Sequence, residues 1–130
     1  MANTAFEAIT SRQAWHAAGA LPKYYAAMID AEGKLAKADG TRPFIGIVQY
    51  GAAAEDDVAT VVKGSFPAIG SEEISAGDLL TLDSGDNAGK FKVADTEGDI
   101  VYGVALTGAA AGDLFTIAMN DVAQTIPGQG

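Results

Sequence analysis

From Tyr24 onward, apolar and polar positions alternate with a period of two, and short Gly-Asp or acidic turns interrupt the alternation. The pattern predicts strands. YYAAMI (24–29) and KLAKAD (34–39) form a hairpin around DAEG (30–33), where Gly33 takes positive φ at little cost. Pro43 opens the next strand, at the place where its missing N–H does least harm, and PFIGIVQY (43–50) continues it. VATVVKG (58–64) is a β-branched strand, while Pro67 and Gly70 reduce SFPAIGSEE (65–73) to a short strand or an extended crossing. DLLTL (78–82) and KFKVAD (90–95) pair around DSGDNAG (83–89). DIVYGVALT (99–107) and DLFTIAM (113–119) make a last hairpin, and the tail NDVAQTIPGQG is expected to fray.

The first 23 residues break this pattern. SRQAWHAA (11–18) predicts a short helix with Ser11 as its N-cap, stopped by Gly19 and Pro22 and too short to stand alone. We read residues 1–23 as an arm ordered by packing on the body or on a partner, followed by a β domain over 24–130. The expected fold is all-β, a small antiparallel β-barrel or sandwich with that N-terminal arm. SAGDLLTL (75–82) and AAGDLFTI (110–117) echo each other, and two such Gly-Asp corners suit equivalent points of a barrel.

The last hairpin is apolar on both faces. Ile100, Tyr102, Val104 and Leu106 fall on one side, and Val101, Gly103, Ala105 and Thr107 on the other. A half-solvated strand shows polar residues at alternate positions. Here the second face is small instead, which lets another backbone approach at Gly103 and Ala105. One cover is the chain's own core. The other is a second sheet of the same chain or a neighbouring subunit, with packing inside the chain the preferred reading.

Length and charge narrow the classes. A chain of 130 residues suits one domain with a core of its own. There is no cysteine, so disulfides and thiolate metal sites are excluded. The N-terminus has neither a secretory pattern nor a spanning run, which makes a soluble cytosolic product the expectation and a membrane partner unexpected. The net charge of −9 argues against nucleic acid as a partner. Residues 1–42 hold five basic and four acidic groups (+1), and the remainder holds three lysines and thirteen acids (−10). That asymmetry reflects either two different surroundings or chance in a small protein.

Chemistry is scarce. His16 is the sole histidine, so any Ser-His-Asp arrangement would depend on it; packing beside Trp15 is the simpler role. Asp83, Asp86 and Asn87 lack calcium-loop spacing, and the twelfth position counted from Asp83 is Ala94 where a bidentate Glu is required. AEDD (54–57) and SEE (71–73) read as solvated turn charges. No phosphate-binding glycine motif stands between a strand and a helix. We therefore expect no catalytic residue, no cofactor and no metal.

The ordered series of segments resembles the small capsid cement, or head decoration, proteins of tailed bacteriophages. The features are the leading hairpin ending in EGK, the strand from Arg42 to Ile47, the AGDLL segment, a GK turn, and the closing VYGVAL–small loop–AGDLF hairpin. The resemblance covers roughly residues 24–119 and leaves the first 23 unmatched. It implies a non-enzymatic β-barrel on the exterior of the virion capsid, made in the host cytoplasm. It also implies contact with the major capsid protein and a homo-oligomer, a trimer above others. Candidate contacts are Phe6, Ile9, Trp15 and Leu21 in the arm, with Gly103 and Ala105 in the hairpin. A carbohydrate- or host-surface-binding module on the virion is the alternative; an enzyme using an acid pair near DSGDNAG ranks last, because no spacing suggests facing carboxylates.

Overall fold

The alternation folds as antiparallel strands. A computed structural model describes residues 8–125, with side chains described through Asn120. Its strands are β1 (Ala8–His16), β2 (Ala26–Ile29), β3 (Leu35–Lys37), β4 (Phe44–Tyr50), β5 (Val58–Ile69), β6 (Leu79–Leu82), β7 (Phe91–Val93), β8 (Ile100–Ala105) and β9 (Leu114–Thr125). They form one sheet in the order β3-β2-β4-β5-β9-β8-β6-β7, with β1 also paired to β5. A bridge between Gly70 and Phe91 brings β7 back to the end of β5, so the sheet curls into a half-barrel. The fold is all-β, as the alternation predicts, and the described residues contain no α-helix.

Three local expectations need correcting. SRQAWHAA is not a helix: residues 11–16 lie in β1, which pairs with β5 at eight positions from Ala8–Ser65 to His16–Val58. A short helix must form its own costly nucleus, whereas β1 adds to a ladder that already exists. β5 is also not broken at Pro67 and runs 12 residues. Its partner there, Thr116, donates its N–H to Thr107 Oγ1 (2.9 Å) and accepts from the Leu106 N–H (2.8 Å), so Pro67 owes that pair no hydrogen bond. The tail joins β9 as far as Thr125, which pairs with Ile100; residues 126–130 lie outside the described residues.

Two cores hold the sheet. The larger lies inside the curl and contains Phe66, Phe91, Phe115, Ile47, Ile74, Leu80, Tyr102 and Ile117. Phe91 meets Phe44 at 5.9 Å and Phe115 at 6.4 Å, both edge to face, an arrangement that adds about 0.5–1.5 kcal/mol per pair beyond area burial. The second core lies on the other side of β2, β4 and β5. There Ala27, Val48, Ala59 and Val61 are covered by Ala17, Leu21, Leu35 and Ala52. Leu21 and Ala52 exchange backbone hydrogen bonds of 2.9 and 3.0 Å, which ties the strand-free segment after β1 into the body.

The two Gly-Asp corners share one geometry. Gly77 and Gly112 have φ of 92° and 85°, and the following Asp N–H bonds back to the carbonyl three residues earlier, at 3.1 Å in each case. The Gly77 N–H reaches Ala105 O and the Gly112 N–H reaches Gly70 O, at 2.8 and 2.9 Å. Each corner thus sutures a turn to a distant strand end.

Candidate functional site

The closing hairpin is packed mainly within its own chain. Val101, Gly103 and Ala105 are buried, and so is Tyr102, because an irregularity between Val101 and Gly103 turns the strand. A Cβ on Gly103 would strike the Ala118 carbonyl and the Ile117 side chain, so the backbone that approaches the small face belongs to β9. Ile100 and Leu106 remain exposed at the two ends of this segment. Gly103 and Ala105 are therefore internal packing positions in the monomer rather than a surface.

The predicted arm residues divide in the same way. Leu21 is 1% exposed in the second core, and Ile9 is half-buried against the larger one. Phe6 lies outside the described residues. Trp15 is 36% exposed, its indole N–H donating to Gln13 Oε1 at 3.1 Å. All of β1 except Ile9 is exposed, although residues on opposite faces of a strand normally cannot both avoid a core. One edge of β1 is zipped to β5; Arg12 Nε donates to the buried Gln49 Oε1 at 2.7 Å and His16 bonds Asp56, while β1 side chains on both faces remain largely in solvent.

Exposed apolar side chains collect at two places. Trp15, Val58 and Tyr50 stand at one end of the β1–β5–β4 ribbon: Trp15 is opposite Ala59 on one face, while Val58, opposite His16, and Tyr50, opposite Thr60, fall on the other. Tyr50 is 61% exposed. Leu79 and Leu114, each the first residue after a Gly-Asp corner, are the second group, together with Leu106. Periodicity alone does not bring these three residues to one ribbon end, because each falls in a different strand.

A third feature is a pocket of about 470 Å³ between the loop of residues 40–44 and the β8–β9 hairpin. Arg42, Phe44, Lys63, Ile100, Tyr102 and Asn120 line it. Lys63 Nζ sits 5.0 Å from the centre of the Phe44 ring and donates to the Asn120 carbonyl at 3.1 Å. Tyr102 meets Phe44 at 5.5 Å with its ring tilted 70°. Burial, and then the negative charge of Asp39, push the Tyr102 phenol above its ordinary value, so it stays a neutral O–H donor.

The acidic turns serve the backbone. Asp30 accepts from the N–H groups of Glu32 and Lys34, at 2.9 and 3.0 Å, and closes the first hairpin. Asp78 accepts from the Ser75 N–H at 2.8 Å. Burial raises the Asp83 carboxyl, but the Ser71 hydroxyl (2.7 Å), the Ser84 N–H and the charge of Lys92 outweigh it and hold the group below its ordinary value. His16 Nδ1 donates to the Asp56 carbonyl at 2.9 Å. Among the described residues no three His, Asp or Glu side chains cluster as metal ligands, and no helix is long and apolar enough to cross a membrane.

The described strands thus define an all-β protein built on one curled, nine-stranded antiparallel sheet. The sequence profile of the phage cement proteins matches residues 16–121, and the chain belongs to that family of structural, capsid-associated phage proteins. Among solved structures, the chain is similar to the "N base" of head fiber gp8.5 of bacteriophage phi29. The two share 16% identity with a TM-score of 0.63, over 85% of this chain and 93% of that one. At that identity the likeness concerns the fold. No curated protein matches the sequence.

Proposed function

We propose that the protein binds the exterior of the phage head, contacts the major capsid protein and reinforces its lattice as a homo-oligomer, a trimer above other states. The observation that supports this reading is β1: a nine-residue strand in a chain of the cement family, exposed on both faces and carrying a lone Trp. Packing against a neighbouring subunit or the head would cover side chains that the monomer leaves in water. Trp15 is the contact residue; aromatic anchors dominate interface energies. Several weak contacts held in one oligomer reinforce each other through effective concentration.

Cosedimentation of the full chain with expanded, empty heads tests the reading. Binding is expected, and Trp15→Ala should weaken it by about tenfold, the loss typical of an interfacial anchor. A protein that stays in the supernatant overturns the head-binding reading. Unchanged binding of W15A together with a variant lacking residues 1–14 overturns the role of β1. Light scattering on the free protein should give a multiple of the 13.2 kDa chain mass; a strict monomer at all concentrations removes the oligomer.

A further inference from the structure

The pocket beside the 40–44 loop has no part in the reading above, and its chemistry is unlike the rest of the surface. In a chain of net charge −9, none of its lining residues among those described is acidic. Arg42 stands exposed at its rim and makes no salt bridge among the described residues; Asp30 feels it only through longer-range attraction. Asp39, the acid whose charge reaches Tyr102, has its own carboxylate occupied by the Thr41 hydroxyl and by the Thr41 N–H at 3.0 Å. The guanidinium therefore lines the pocket with no carboxylate among the described residues to hold it. Its planar fork suits an incoming carboxylate in bidentate fashion.

The remainder of the wall is apolar. Ile100 is exposed along one side, and Phe44 and Tyr102 form an aromatic floor. That floor is not a stacking platform. Lys63 covers a face of Phe44, while Phe91 and Tyr102 meet the ring at steep angles of 83° and 70°. A sugar ring needs an open aromatic face, and an aliphatic or aromatic side chain needs only apolar wall. A volume of about 470 Å³ falls in the lower part of the range for ligand sites and suits a pair of side chains rather than an extended polymer.

We infer that this pocket receives a short protein segment in which a carboxylate neighbours a bulky apolar side chain, Arg42 taking the carboxylate and Ile100 with Tyr102 taking the apolar group. The inference is independent of head binding. Tyr102 and Asn120, which also line the pocket, carry further polar groups for such a segment, although Asn120 Nδ2 already donates to the Val101 carbonyl at 3.1 Å.

The test uses the isotope-labelled full chain and three probes: a capped phenylalanyl-aspartyl dipeptide, its asparagine twin and glucuronic acid. Backbone amide shifts are followed by NMR at millimolar probe. The aspartyl peptide should shift the amides of Thr41, Phe44, Ile100 and Tyr102 and bind about tenfold more tightly than its twin, the worth of one charge-assisted hydrogen-bonded pair. Arg42→Gln, a change at an exposed position, should bring the two peptides to parity while leaving the rest of the spectrum in place. Equal binding of the twins to the native chain, indifference to R42Q, tighter binding of glucuronic acid, or no shift at the pocket amides each overturns the inference.

Discussion

Leu21→Ala is the sharpest test of how the N-terminal segment is used. Read from sequence, Leu21 is a candidate contact for a partner; in the fold its side chain is 1% exposed. Truncation to Ala removes three carbon atoms, and at about 0.8 kcal/mol per buried methylene the transfer loss alone is roughly 2.4 kcal/mol. The hole adds to this. Four of the residues in the same core are alanines (Ala17, Ala27, Ala52 and Ala59), and their single methyl groups cannot reach in to fill the space. The cost should therefore lie near 3–4 kcal/mol, well inside the range of large-to-small core substitutions. Urea unfolding should show a lower midpoint with an unchanged slope, and the thermal midpoint should drop by about 10 °C. Where L21A is still folded, head binding should be preserved. Stability within about 1 kcal/mol of the native chain would refute the packing described for this segment. So would a selective loss of binding without loss of stability.

Other expectations follow from single contacts. Gly103→Ala places a methyl against the Ala118 carbonyl and Ile117, and should cost about 1–3 kcal/mol, with amide exchange quickened first along β8 and β9. Trp15→Ala should change the unfolding free energy of the free chain by less than about 1 kcal/mol, because the ring is only partly covered; a larger loss in urea unfolding would give it a core role. The Thr41 hydroxyl, then its N–H, hold the Asp39 carboxyl below its ordinary value of 3.8. A lowered folded pKa gives a contribution that is complete above the ordinary value and lost as pH falls through the folded one. Thr41→Val should therefore raise the Asp39 midpoint in a carboxyl-carbon NMR titration and flatten the acid limb of the stability curve; an unmoved midpoint would show that the hydroxyl does not matter.

Most of the strands and three of the hairpins, β2–β3, β6–β7 and β8–β9, were readable because alternation and turn residues coincide. Asp30 and Gly33, then Gly77 with Asp78, announce their turns by chemistry that acts within a few residues. What escaped depends on partners far along the chain. β1 shows no useful periodicity because both of its faces are exposed, and only the ladder to β5 makes it a strand. Pro67 looks like a break until Thr116 is seen bonding elsewhere. The polar run after Met119 becomes ordered strand because β8 lies beside it. The candidate surfaces were the least legible. Trp15 was recognisable as a lone aromatic, but Tyr50 and Val58 reach the same ribbon end, on the opposite face, only through pairing, and Arg42, Lys63 and Asn120 converge from three separate stretches.

The ladder between β1 and β5 also has a mechanical direction. Its hydrogen bonds lie across the strands, spread along a nine-residue segment. Tension along the strand axis loads these bonds together in shear, whereas a sideways tug peels them in succession from one end. An attachment made through β1 would thus resist lateral stretching of whatever it grips far better than lifting.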